Sequence, residues 1–331
     1  MVAIAVAPDA TLTGKATALF RAMGCQIELQ LVHDATPQTT DAVMDALMDA
    51  ELFFTTCEST LSRFLATSDL TLLNRSAGCG PVPVSPILSE VTQQALAAAQ
   101  ATDGMFDPTL GTLLAHLGYD RPFPLVAPFA DDVIPALVPS HHRGAWREIV
   151  VDPVAGTVAL PAGVALDFGG IGKGWTVDQV VSHLRSVPGV RGGLVNAGGD
   201  LRVWGAAPEN EPLWAVGVED PRDFDRDYAV LAVGDRAVAT SSTAYRRWRR
   251  GDRWIHHLLD PRTGQPAATD LAAVTVVGPS SAWAEVHAKV VLLSGVAAGR
   301  AYLDARDGYE GLLIATDGSQ RRTDGMEEYR R

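Results

Sequence analysis

The sequence reads as α+β, one bilobed domain in which mostly antiparallel strands are flanked by helices. Three observations carry that reading. From Arg147 onward, short apolar runs of strand length follow one another at turn-sized spacings, and only two helical patterns break the series. The first half instead holds two long helical periodicities. No repeat and no low-complexity stretch divides the 331 residues, and 47 % hydrophobic residues supply a core for one large domain.

Taken in order, residues 1–15 are expected to form a flexible N-terminal tail, 16–320 the domain and 321–331 a C-terminal tail. Residues 25–32 alternate as a strand. Pro37 opens a long helix, because its fixed φ and missing N–H suit a first turn; Val43, Leu47 and Phe54 lie near one face. Ser85-Pro86 opens a second, alanine-rich helix that Gly104 closes. Prolines at 122, 124, 128, 135 and 139 make 119–147 an irregular surface excursion. Strands are then expected at 148–151, 157–160, 164–166, 193–195, 201–204, 213–218, 228–233, 255–259 and 272–277, with helices at 175–184 and 282–293.

Composition narrows the function. A formal net charge of −12 argues against nucleic acid as a partner, so an anionic ligand needs a locally positive pocket. Cys25, Cys57 and Cys79 are odd in number and lack C-x-x-C spacing, which points away from a disulfide framework or a zinc site. The N-terminus has no basic stretch, no long apolar run and no cysteine for a lipid anchor, and no segment reaches the roughly 20 apolar residues of a membrane span. A soluble, cytoplasmic protein is expected, without a membrane partner.

The most informative segment is Asp167-Phe168-Gly169-Gly170-Ile171-Gly172-Lys173-Gly174, which leads into a helix. Glycines allow close backbone approach, and free N–H groups at a helix N-terminus make an anion-binding concavity. Lys173 is one of only three lysines, with Lys15 and Lys289. Such a turn either cradles a phosphate or only packs a helix tightly. Other polar clusters lie at turns: 102–109, 196–200, 239–242 and 256–264.

The order of these clusters resembles the ApbE family of FAD:protein FMN transferases. The resemblance rests on Met23-Gly24-Cys25, on Ser62-x-Phe64 running to Ser68 and Asn74, and on Thr102 to Thr109. It continues through Asp167 to Asp178, Asn196 to Asp200, Thr240-Ser241-Ser242, His257 to Gly264 and Ala284 to Lys289, so that it spans about residues 21–316. It implies an ApbE-like (T-fold-like) domain that moves the FMN half of FAD to a threonine hydroxyl of an acceptor protein and releases AMP, a phosphoryl transfer.

By the same resemblance, Gly170, Gly172 and Lys173 cradle phosphates, with Asp178 closing that motif. Met23, Gly24, Ser62, Phe64, Asp103, Gly104, Phe106, Asp107, Gly198, Gly199, Thr240 and Ser241 help form the FAD pocket. His257 stands near the attacking hydroxyl, where an imidazole can accept its proton; otherwise it is a structural histidine bonded to the Asp260 turn.

One departure bears on the metal. The family's magnesium ligands are an aspartate, a threonine four residues on, and a backbone carbonyl, here that of Gly172. Glu285 and Lys289 occupy the two side-chain positions. Glutamate can still bind Mg²⁺, but an ammonium has no lone pair to donate. Either Lys289 takes the metal's place as a positive charge, making Lys173, Glu285, Lys289 and His257 the catalytic set without Mg²⁺, or the two form an ordinary i,i+4 pair. The alternatives to transfer are an FAD-binding protein without turnover and an FAD pyrophosphatase.

Overall fold

The computed structural model describes residues 5–8, 13–126, 144–250 and 253–331. Its backbone is one antiparallel sheet of nine strands whose spatial order is the chain order: β1 Ala5–Pro8, β2 Thr13–Ala22, β3 Cys25–Asp34, β4 Val190–Ala197, β5 Asp200–Gly205, β6 Arg236–Ser242, β7 Leu271–Gly278, β8 Glu310–Ala315 and β9 Gln320–Arg322. Among the described residues, every other element except the 3₁₀ turn Asp324–Tyr329 after β9 is inserted between neighbouring strands.

The period-2 alternation of the strands divides two cores. One face buries Ile27, Leu29 and Val195 against helices α1 (Pro37–Leu61) and α5 (Gly172–Arg185). Further along, the same layer sets Ala239, Val274 and Leu313 against α6 (Ser281–Asp304). On the opposite face Leu194, Val238 and Leu312 meet Trp214, Val216 and Leu231 of a two-stranded ribbon, Trp214–Asp220 with Asp223–Val233.

The insertion after α1 makes a smaller lobe: α2 (Asp69–Arg75), α3 (Pro86–Ala101), α4 (Gly111–His116) and three short strands, Val82–Pro83, Val150–Asp152 and Thr157–Ala159. Its core joins Leu73, Leu88 and Phe168 to Val286 and Val290 of α6, so α6 is shared by both lobes. The helices start as their caps dictate. The side chain of Thr36 accepts from Thr39 N–H ahead of Pro37, and that of Ser85 from Leu88 N–H ahead of Pro86. As expected, Val43, Leu47 and Phe54 are buried.

Several boundaries differ from expectation. The supposed N-terminal tail contains β1 and the start of β2. The C-terminal one completes β9 and adds a 3₁₀ turn, Asp324–Tyr329, that buries Met326. Residues 164–166 are not a strand: Ala165 makes only a single parallel bridge to Leu110. The strand expected at 255–259 is two, Arg253–His256 and Leu259–Asp260, and α6 runs on past Leu293 to Asp304 through a break at Gly295. Glu148 closes a 3₁₀ turn, Ala145–Glu148. Of the irregular excursion at 119–147, residues 127–143 lie outside the described residues. Among the described residues no helix is long and apolar enough to cross a membrane.

Candidate active site

The glycine-rich turn is fixed from outside. Asn74 grips Leu166 twice, donating from Nδ2 to its carbonyl at 2.9 Å and accepting its N–H at 2.8 Å. Asp167 N–H donates to the Pro108 carbonyl at 2.8 Å, and Gly172 N–H to that of Phe168 at 2.7 Å. Helix α5 begins after Ile171 without a side-chain N-cap, and its first N–H groups are met in other ways: that of Gly172 by the Phe168 carbonyl, that of Trp175 by the Ile171 carbonyl at 2.9 Å, and that of Gly174 by Glu285. At Gly174 a Cβ would come within 2.6 Å of the Ser281 backbone, so only glycine lets α5 and α6 meet this closely.

That approach assembles a buried charge cluster. Lys173 Nζ donates to the carboxylate of Asp200, at the start of β5, and to Glu285 Oε1 at 2.9 Å. Lys289 Nζ donates to the same Glu285 oxygen at 3.2 Å, while Gly174 N–H donates to Oε2 at 3.1 Å. The Glu285 side chain is 2 % exposed and those of the lysines 13 % and 17 %. Burial pushes the Glu285 carboxyl up, but Lys173 and Lys289 prevail and hold it below the usual carboxylate range. Burial likewise opposes the charge on Lys173, yet Asp200 and Glu285 raise its pKa further. For Asp200, burial and the Glu285 charge outweigh Lys173 and push the carboxyl up.

The lysines face a cavity of about 380 Å³. It is lined by the expected Met23, Gly24, Ser62, Phe64, Phe106, Asp107, Gly170, Gly172, Lys173, His257 and Lys289. His257 is half-buried, and its Nδ1 is sealed from solvent without a hydrogen-bond partner. Burial first, and then the charges of Arg246 and Lys289, depress its pKa well below that of an ordinary imidazole, so it is neutral at neutral pH. It does not bond the Asp260 turn, whose carboxylate is held by Arg262.

Other site residues that the resemblance implied lie off the cavity wall and have structural work of their own. Asp178 caps α6: its carboxylate accepts from Ser280 Oγ at 2.8 Å, from the N–H groups of Ser281 and Ala282 at 3.0 Å, and from Arg202 at 3.1 Å. Asp103 is exposed beside Arg147, and Gly104 with φ 75° ends the turn after α3. Gly198 and Gly199, at φ 63° and 96°, make the tight turn from β4 to β5. Thr240 bonds the hydroxyl of Thr275 across the sheet at 2.9 Å, and Ser241 is buried in β6. Glu285 stands behind the two lysines.

Sequence reasoning missed three cavity-lining arginines, Arg21, Arg63 and Arg246. The Arg63 guanidinium lies 4.2 Å from the Phe64 ring centroid and 4.7 Å from that of Tyr119, and pairs with Asp167. Its place between Ser62 and Phe64 could have flagged it. Arg246 sits at φ 43°, with Nη1 3.4 Å from the Tyr119 hydroxyl; it opens an arginine-rich run that signals itself by composition.

These residues do not form the family's magnesium site. Both Glu285 oxygens are taken by donors, the Gly172 carbonyl accepts from Thr176 Oγ1 at 2.8 Å, and the Lys289 ammonium has no lone pair. Among the described residues no group of three or more His, Cys, Asp or Glu side chains is placed to hold a metal ion.

Comparison with known proteins identifies the family and the fold. The family model described as "ApbE family" matches residues 23–313. An FAD:protein FMN transferase of Treponema pallidum (strain Nichols) is 32 % identical over 281 residues, 81 % of this chain and 76 % of that protein. One from Klebsiella pneumoniae (strain 342) is 30 % identical over 254 residues, 75 % of each. Among solved structures, the ApbE protein of Thermotoga maritima superposes with a TM-score of 0.77 at 23 % identity, over 95 % of this chain and 99 % of that one. The apo flavinyl transferase ApbE of Pseudomonas stutzeri gives 0.78 at 23 %, over 97 % and 98 %. The chain belongs to the ApbE family.

Proposed function

We propose that this protein transfers the FMN half of FAD to a threonine hydroxyl of an acceptor protein and releases AMP, using lysine charge where its relatives' motif would bind magnesium. The observation that carries the reading is a neutral His257 in one cavity with the ammonium groups of Lys173 and Lys289.

In that reaction the acceptor oxygen bonds to the phosphorus of the FMN half, the bond from that phosphorus to the AMP oxygen breaks, and the hydroxyl proton needs a base. His257 supplies the base, because an imidazole that stays neutral is ready to take a proton. Lys173 and Lys289 stabilise the charge that develops on the pyrophosphate, held in place beforehand by Glu285 and Asp200.

The test is incubation with FAD and a threonine-bearing acceptor protein, in excess Mg²⁺ and again in EDTA, reading AMP and covalent flavin fluorescence. Equal amounts of AMP and flavinylated acceptor in both buffers are expected. AMP released without acceptor would make the protein a pyrophosphatase. FAD retained with no AMP in either buffer would make it a binding protein.

A further inference from the structure

A short hairpin connects two residues of the cavity wall. Arg246 precedes the strand Arg247–Arg250, His257 follows the strand Arg253–His256, and both line the cavity. Arg247 pairs with His256, Trp248 with Ile255, and Arg249 with Trp254. Residues directly opposite share a face of the hairpin, and successive residues alternate between faces.

The inner face is settled by packing. Trp248 and Ile255 are buried against Leu110, Leu114 and Tyr119, which line the cavity, and Trp248 Nε1 donates to the Leu117 carbonyl at 3.0 Å. The hairpin therefore backs the cavity wall. Its outer face presents Arg247, Arg249 and Trp254, all exposed, with Trp254 61 % so and the Arg247 guanidinium 4.9 Å from its ring centroid. Of the five arginines that residues 246–253 hold, in a chain of net charge −12, the register places Arg247 and Arg249 on this face. Solubility does not ask an acidic protein to gather its cations at one place, and an exposed tryptophan beside arginines is the composition of a recognition surface rather than of a solvated edge.

We infer that the outer face of this hairpin docks the acceptor protein, and that the acceptor carries acidic residues close in sequence to the hydroxyl that is modified. This rests on the transferase reading and adds the chemistry of the partner. Charge complementarity identifies the occupant: a positive strip on an acidic protein attracts a carboxylate-bearing segment that the rest of the surface repels. A four-residue strand spans roughly 13 Å, so carboxylates a few residues from the threonine reach Arg247 and Arg249 while the hydroxyl enters beside His257.

The test uses FAD-loaded protein and two short fluorescein-labelled peptides, each with one threonine, flanked by Asp and Glu in one and by Lys in the other. Anisotropy is read at low and high salt for the wild type, for the double variant Arg247→Glu with Arg249→Glu, and for Arg321→Glu, an exposed arginine on the edge strand β9. FAD affinity is measured separately by flavin fluorescence. The acidic peptide is expected to bind more tightly, to weaken with salt, and to lose roughly tenfold in the double variant, with Arg321→Glu and FAD affinity unchanged. Equal binding of both peptides, binding of neither, or indifference to the double substitution overturns the proposal. So does a double variant that keeps peptide binding and loses FAD, which would assign these arginines to the dinucleotide. A protein that binds the acidic peptide but releases no AMP would instead sink the transferase reading and leave the surface standing.

Discussion

Lys173 and Lys289 direct their ammonium groups, from different helices, at one oxygen of Glu285, at 2.9 and 3.2 Å. With Asp200 on Lys173 the cluster holds two cations and two anions and is formally neutral. Only the lysines reach the cavity, however. A ligand phosphate therefore meets two ammonium groups whose countercharges are turned away from it.

Lys289→Thr restores a hydroxyl at the position where the family motif has one. Calorimetry should detect Mg²⁺ binding in this variant and none in the wild type, and its transfer should become sensitive to EDTA. Lys289→Met should lose about 10²–10³-fold in turnover, the usual cost of removing one preorganised stabilising group. A Lys289→Thr variant without metal affinity would show that the lysine does not stand in for a cation.

Glu285→Ala leaves both ammonium groups and the Gly174 N–H without their shared acceptor. Breaking a buried pair in this way costs about 3–5 kcal/mol, to be read from the midpoint of urea unfolding. A loss under about 1 kcal/mol, the range of surface pairs, would mean that water screens the cluster.

His257→Gln should lower turnover by about 10²–10⁴-fold with FAD affinity unchanged. If His257 is the base proposed above, the active form is the neutral imidazole, whose proton affinity is depressed from the ordinary 6.5 by burial and by neighbouring cations. Activity should therefore persist through pH 6 and decline only on further acidification. An acid limb centred near 6.5 would assign the base elsewhere.

His287 gives folding its own pH dependence. The ring is buried, its Nδ1 lies 2.8 Å from the Tyr302 hydroxyl, and burial with Arg306 lowers its pKa to about 4. The unfolded chain takes up this proton near 6.5 while the folded one stays neutral, so stability falls as pH drops from about 6.5 to about 4, by up to roughly 3 kcal/mol. His287→Phe should reduce the fall of Tm across that window, leaving the part that His256 and His257, whose pKa values burial also lowers, contribute. Glu285 acts lower: its depressed pKa removes stability only below the usual 4.5.

Asp178→Ala removes the carboxylate that caps α6. The N-cap itself, Ser280, stays and still accepts from Trp283 N–H. The loss is that of the carboxylate's bonds to Ser280, Ser281, Ala282 and Arg202, expected to cost about 0.5–2 kcal/mol as for other helix-start caps. FAD affinity should hold at temperatures where the variant is folded. A tenfold loss of FAD affinity there would restore Asp178 to the binding site.

What could be read from the sequence follows from how each residue works. Pro37 and Pro86 announce their helices by a local rule, and 25–32 announces its strand by alternation. β2 escaped because its inward positions are Ala16, Ala18 and Ala22, which pack closely yet do not look like a strand. β6 hid in the same way behind Ala237 and Ala239. At the site, the glycine turn is a local signal and so was visible. Asp200 read as part of a turn, because its bond to Lys173 spans 27 residues, and the bond from Lys173 to Glu285 spans 112. Asp178 sits in a pocket motif, but its hydrogen bonds reach the start of another helix.

Because the sheet order is the chain order, the ribosome delivers each strand directly beside its finished neighbour. The nascent sheet can grow edgewise without rearranging, and domains generally fold as units during synthesis. The chemistry lags behind. Lys173 and Asp200 are made before α6, which brings Glu285 and Lys289 and closes the small lobe against the sheet. A chain stalled before α6 holds seven of the nine sheet strands and the Lys173–Asp200 pair, but it lacks the helix that closes the cores of both lobes, so its strands are made before either core is complete.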